Sequence, residues 1–106
     1  MRVVTTEHIP GQRVIKVLGW VLAVITRRRF PSQAGAHMRD LLTAWRNDAV
    51  SNMVEAAQGR GANAVLSVRL RQRDVGESWV EVCAYGTAVV TENDRLATAG
   101  SGKAVT

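Results

Sequence analysis

The chain has little of what most readily betrays an activity. Its 106 residues include one cysteine, Cys83, which excludes an intramolecular disulfide and fits a reducing cytoplasm. The two histidines, His8 and His37, form no CxxC, HxxxH or other ligand spacing with it, so no metal site is legible in one subunit. His8 reads as a turn residue, and Cys83 as a small buried apolar residue of a strand. Nucleophile elbow, glycine-rich phosphate loop and acid pair at an interpretable spacing are all missing. Gly59-Arg60-Gly61 falls at a helix end, where exposed carbonyls repel phosphate. The expectation is a protein without enzymatic activity.

Long apolar runs are also lacking. The longest, Val14 to Ile25, is interrupted by Lys16, and a membrane span needs about 20 predominantly apolar residues. Arg27, Arg28 and Arg29 follow it with no small-residue cleavage site, which argues against a signal peptide and for a cytoplasmic protein. Acidic residues are in deficit, 9 against 14 lysines and arginines. That balance allows attraction to nucleic acid or another anionic partner, although many soluble basic proteins share it.

What is present suits one small domain with one core. Val3 to Thr6 is β-like and closes at Ile9-Pro10-Gly11, where proline fixes φ and glycine permits the turn. Arg13 to Thr26 is dense in valine and isoleucine and reads as a long strand. Strict alternation places Val14, Lys16, Leu18, Trp20, Leu22 and Val24 on one face and Ile15, Val17, Gly19, Val21, Ala23 and Ile25 on the other. Both faces are apolar, so one helix cannot cover them, and a second subunit is the simplest cover. Gly19 marks a bulge or close backbone approach. Val17, Gly19, Trp20, Val21 and Ala23 are the candidate oligomer interface.

Arg27 to Gly35 reads as a basic connector whose Arg27, Arg28 and Arg29 are candidate contacts for an anionic partner. A helix follows from about His37 to Gln58, with Leu41, Leu42, Trp45, Ala49, Met53 and Ala56 on one side and Ser32 or Asp40 as candidate caps. Gly59-Arg60-Gly61 stops it. In the strand after Asn63, alternation places Ala64, Leu66, Val68 and Leu70 against Val65, Ser67, Arg69 and Arg71. A polar hairpin connection spans Arg71 to Ser78 with Gly76 in the left-handed region, and the last strand runs from Trp79 to Thr91. Small and polar residues from 93 to 106 read as a flexible tail.

Thr5-Thr6-Glu7-His8-Ile9-Pro10-Gly11, Val17-Leu18-Gly19, Gly61-Ala62-Asn63-Ala64-Val65 and Ala84-Tyr85-Gly86-Thr87-Ala88-Val89, in that order, resemble the YbjQ-like family, which carries a heavy-metal-binding label. The resemblance covers residues 1–92. It implies an α+β subunit of β-α-β-β order, similar to the dodecin subunit. That subunit has a three-stranded antiparallel sheet, one helix and an extra short N-terminal strand, and it assembles as a ring-shaped homopentamer. Relatives carry a longer insertion where this chain has 27–35, and often an acidic residue where Arg71 stands. A metal ion is suggested by the label alone, and a ring could gather one ligand from each subunit; for an enzyme reading, Glu7, His8 and Glu81 could meet only across subunits.

Two readings follow. The first is a homo-oligomeric assembly or binding module with inter-subunit pockets or a pore for a metal ion or small ligand. The second is a basic accessory protein that meets nucleic acid or another anion through Arg27, Arg28 and Arg29 with Arg69, Arg71 and Arg73.

Overall fold

The computed structural model describes residues 1–29 and 36–94. The element order is β1 (Arg2–Val3), β2 (Gln12–Arg28), α1 (Ala36–Gly59), β3 (Ala64–Val75) and β4 (Trp79–Asn93). The strands form one sheet in the order β1-β3-β4-β2. β4 pairs antiparallel with both β2 and β3, and β1 runs parallel to β3. The expected sheet of three antiparallel strands therefore gains a fourth, parallel member. The N-terminal piece reaches that position because it keeps bonding past β1: Val4 N donates to Val65 O at 3.0 Å, Val68 N to Val4 O at 3.0 Å and Ser67 N to Thr6 O at 2.8 Å. The Ile9–Gly11 turn forms as its residues require, with Gln12 N donating to Ile9 O at 3.0 Å and Gly11 at φ 76°.

α1 covers one face of the sheet. Trp45, Ala49, Met53 and Ala57 enter a core with Val21 and Ile25 of β2, Val65 and Val68 of β3, and Val80, Val82, Ala84 and Ala88 of β4. Ala57 takes the inward place expected of Ala56, which is exposed. Asp40 lies inside α1 rather than at its start, and Ser32 lies outside the described residues. The helix stops as glycine dictates, with Gly61 at φ 90°. Just before it, the Arg60 guanidinium donates to the carbonyls of Leu18 and Trp20, tying the helix end to β2.

Strict alternation fails at three places, and each is a bulge. The β2–β4 register shifts between Val14 and Lys16 and between Val17 and Gly19, and the β3–β4 register shifts between Leu66 and Arg69. A bulge sets two residues opposite one and reverses which face the following residues take. On β2, where Gly19 has φ 105°, the result is that Val14, Val17, Trp20, Leu22 and Val24 share the outer face, although alternation had separated Val17 from the rest. On β3, Ser67 at φ 53° puts both Val65 and Val68 beneath the helix, and Ala64 and Leu66 on the outer face under Val4 and Ile9. Beyond the bulge Arg69, Arg71 and Arg73 take the outer face.

β3 runs on to Val75, so the residues from Arg71 read as a hairpin connection are mostly strand. Arg71 pairs with Cys83, Arg73 with Glu81 and Val75 with Trp79. Only Gly76-Glu77-Ser78 turns, with Gly76 at φ 66° as expected. β4 likewise extends to Asn93, the first residue expected in the tail, and the tail from Arg95 onward lies outside the described residues. Asn63 lengthens the β3–β4 ladder: its amide donates to Thr91 O at 2.8 Å while its carbonyl accepts from Thr91 N at 2.8 Å.

Gly86 lies opposite the β3 bulge. A Cβ there would meet Val65 Cγ1 at 2.7 Å, the Leu66 carbonyl at 2.9 Å and Val68 Cγ2 at 3.3 Å. Gly59, at the end of α1, has nothing within 4 Å of such an atom. Gly86→Ala should therefore lower stability by about 1–3 kcal/mol through overpacking. Gly59→Ala should raise it by about 0.4–1 kcal/mol by restricting the unfolded chain. Urea unfolding of the two variants beside the parent checks both signs; equal effects would contradict this account of the bulge.

Candidate functional site

The sheet face opposite α1 carries the chain's unspent chemistry. Its β2 column is apolar and open: Val17 is 64% exposed, Trp20 70%, Leu22 51% and Val24 50%. Val14 and Ile15, at the first bulge, are exposed as well. Of the residues singled out for an oligomer interface, Val17 and Trp20 lie here, while Val21 is buried in the chain's own core and Ala23 packs against it. Gly19 is the bulge residue between the two groups. Val14, Leu22 and Val24 belong to the stripe, and the phase shifts of the bulges hid their common face with Val17.

The edges of the sheet matter as much as the face. β2, of 17 residues, is the last strand in the sheet order, and no described strand pairs with its outer edge. At the other side the N-terminal segment covers β3 as far as Val68, and no described strand pairs with the outer edge from Arg69 to Val75.

Across β4 the outer face changes character. Trp20 stacks on Tyr85 with ring centroids 5.8 Å apart and planes 13° from parallel. The Arg71 guanidinium lies 6.0 Å from the Tyr85 centroid, within the range of a cation–π contact. Trp20, Leu22, Arg71, Cys83 and Tyr85 line a shallow cleft of about 260 Å³. A second cleft of about 530 Å³ adjoins it, lined by Arg71, Gln72, Arg73, Glu81 and Cys83. Cys83 is half-buried with a free thiol, so it borders solvent rather than filling the core as expected of it. Arg73 Nε donates to Glu81 Oε1 at 3.1 Å, and Arg69 Nη1 donates to Thr5 O at 2.8 Å and Val68 O at 2.9 Å.

The arginine triplet is placed differently. Arg27 faces Asp48 of α1 at 3.6 Å, and Arg29 pairs with Asp74 at 2.5 Å. Two of the triplet's charges are thus offset by carboxylates of the same chain, on a different part of the surface from Arg69, Arg71 and Arg73. Arg28 also has a partner. Position in the sequence hid this, because Asp48 and Asp74 are brought near only by the fold.

No group of three or more histidine, cysteine, aspartate or glutamate residues that could hold a metal ion occurs among the described residues. His8 is exposed in the N-terminal loop, Glu81 is engaged by Arg73, and Cys83 lies on β4; the side chain of His37 lies outside the described residues. One subunit's described donors do not fit a metal. No described helix is long and apolar enough to cross a membrane.

Comparison with known proteins gives a consistent result. Residues 1–92 match a family model, YbjQ, described as "Putative heavy-metal-binding". A UPF0145 protein of Streptomyces coelicolor is 43% identical over 89% of this chain and 100% of its own length. Another, from Thermoplasma acidophilum, is 37% identical over 85% of this chain and 86% of its own length. Among solved structures, a DUF74-family protein of unknown function from Pediococcus pentosaceus superposes with a TM-score of 0.69. It covers 87% of this chain and 98% of that one at 12% identity, a likeness of fold alone. With the motifs, the one-helix sheet and the matched length in agreement, the chain belongs to the YbjQ family of UPF0145 proteins.

Proposed function

We propose that this protein is a non-enzymatic, self-assembling module whose subunits meet along β2, and that its contribution is the shared surface and pockets the assembly creates. The observation that carries this reading is the apolar stripe Val14, Val17, Trp20, Leu22 and Val24 on an edge strand of 17 residues. A long apolar edge strand is an aggregation hazard that natural proteins cover or charge; over Val17–Ile25 β2 carries no charged residue, and no described strand covers its edge. Burying a Val, Leu or Ile side chain of this kind is worth about 1.5–3 kcal/mol. A second copy of the chain is the occupant that explains both the stripe and the open edge.

The two open edges belong to different strands, so β2 of one copy would meet a different surface on the next. Repeated contacts of that kind close into a ring when the rotation permits, in line with the pentamer that the resemblance implies. The interface so drawn keeps Val17 and Trp20 of the residues expected from the sequence and adds Val14, Leu22 and Val24. Val21 and Ala23 support it from beneath. A metal ion would have to be held by donors from several copies, since no single described subunit gathers three.

Size-exclusion chromatography with static light scattering tests assembly directly. A single closed multiple of the subunit mass is expected at micromolar concentration, and a monomer there would sink the reading. Val17→Asp and Leu22→Asp should each shift the mass toward monomer, by burying an unpaired charge at the seam. Arg27→Ala, which removes the Asp48 pair and a bond to the Thr26 carbonyl, should leave it unchanged. Native mass spectrometry of protein purified without added metal should show integral multiples of the subunit mass; any retained ion should leave when the assembly is dissociated.

A further inference from the structure

The outer face has a second zone that self-assembly along β2 does not account for. Arg69, Arg71 and Arg73 occupy alternate outward positions of β3, paired across to Tyr85, Cys83 and Glu81 of β4. Alternate residues of a strand lie about 7 Å apart, so the three arginines are evenly spaced along one face of the strand. Beside this row stand the Trp20–Tyr85 stack and the two adjoining clefts that share Arg71 and Cys83.

The charges within this zone do not cancel. Glu81 offsets Arg73, whereas Arg69 donates only to backbone carbonyls and Arg71 has no carboxylate partner among the described residues. Solvent-facing aromatic rings beside uncompensated arginines favour a partner with flat π-surfaces and a regular series of negative charges. A β-sheet face can serve such a partner by stacking bases on its aromatics while cations hold the phosphates. Duplex nucleic acid keeps its bases stacked on one another and offers no free ring face to Trp20 or Tyr85. An acidic peptide would use the arginines and leave the aromatic stack unused.

We propose that the outer face of β3 and β4, with the Trp20–Tyr85 stack as base platform and Arg69 and Arg71 as phosphate contacts, binds single-stranded nucleic acid. Arg73, held by Glu81, borders the path without contacting phosphate. Trp20 leans over β4 and marks the boundary with the self-assembly stripe. The basic row lies on the far side of β4 from β2, and Trp20, a residue of the self-assembly stripe, is the member of the path that the two surfaces share.

The test is fluorescence anisotropy of a labelled oligothymidylate of about a dozen nucleotides, long enough for the usual site sizes. The full chain is titrated at several salt concentrations, and light scattering follows each variant. Binding should weaken with salt, with a log–log slope near −1.4 for two phosphate contacts at about −0.7 each. Arg71→Ala should flatten the slope by about 0.7. Tyr85→Leu should weaken binding about fivefold or more, the lower end of what one stacked base contributes, with little change in slope. Arg29→Ala should change neither. Subunit number should stay constant in Arg71→Ala and Tyr85→Leu, which separates loss of binding from loss of assembly. The proposal is overturned by any of three results: no binding at low salt, equal affinity for a duplex of the same length, or loss in Arg29→Ala matching that in Arg71→Ala. Binding to anionic vesicles without binding to the oligonucleotide would overturn it too.

Discussion

A strand's side chains take their face from parity, and a bulge is the only local device that reverses it without breaking the sheet. Most of what distinguishes this molecule depends on the bulge at Ser67, where Ser67 and Val68 stand opposite Gly86. The crowding there is severe enough that no Cβ fits on Gly86. In return Val65 and Val68 both face α1, while Arg69, Arg71 and Arg73 all turn to the other side. Without the reversal the arginines would lie on the helix side of the sheet, and the core would lose Val68. The same device on β2, with Arg60 bonded to the carbonyls on either side of Gly19, gathers Val14, Val17 and Trp20 onto one face.

The consequence is a sheet whose two faces differ in kind. The inner face is filled by small and medium apolar side chains beneath one helix, with Met53 and Ala49 fully buried. The outer face is divided lengthwise: a satellite cluster of Ala64, Leu66, Val89, Val4 and Ile9 at one end, an apolar column on β2, and aromatic and basic residues on β4 and β3. A column of exposed valine and leucine beside an open edge is suited to another copy of the chain. Uncompensated arginines beside stacked rings are suited to something charged and flat. The two chemistries fall largely on different strands, with Trp20 of β2 stacked on Tyr85 of β4 between them.

Membership of the family explains the architecture more than the chemistry. The segments that carry the resemblance include the Ile9–Gly11 turn, the Gly19 bulge, the Gly61 helix stop and the Gly86 contact, each of which answers a backbone requirement. None of them is a donor set for a metal, and the described His, Cys, Asp and Glu residues do not converge on one. The heavy-metal label of the family model therefore finds no counterpart within a single described subunit.

What the chain determines by itself is local. Gly61 and Gly76 take the left-handed conformations that end a helix and close a hairpin, and the apolar period from Leu41 to Met53 makes a one-sided helix. The valine- and isoleucine-rich run from Arg13 makes a long strand that one helix cannot cover. Other features depended on distant partners. Parity after a bulge cannot be counted from residue types, so the common face of Val17 and Trp20, and of Val65 and Val68, emerged only in the folded sheet. Polar residues from Arg71 to Asp74 looked like loop because one strand face meets water; pairing with Val80 to Cys83 made them strand. Arg27 and Arg29 looked like a free basic patch until folding set Asp48 and Asp74 against them, since an ion pair depends on separation in space and not along the chain.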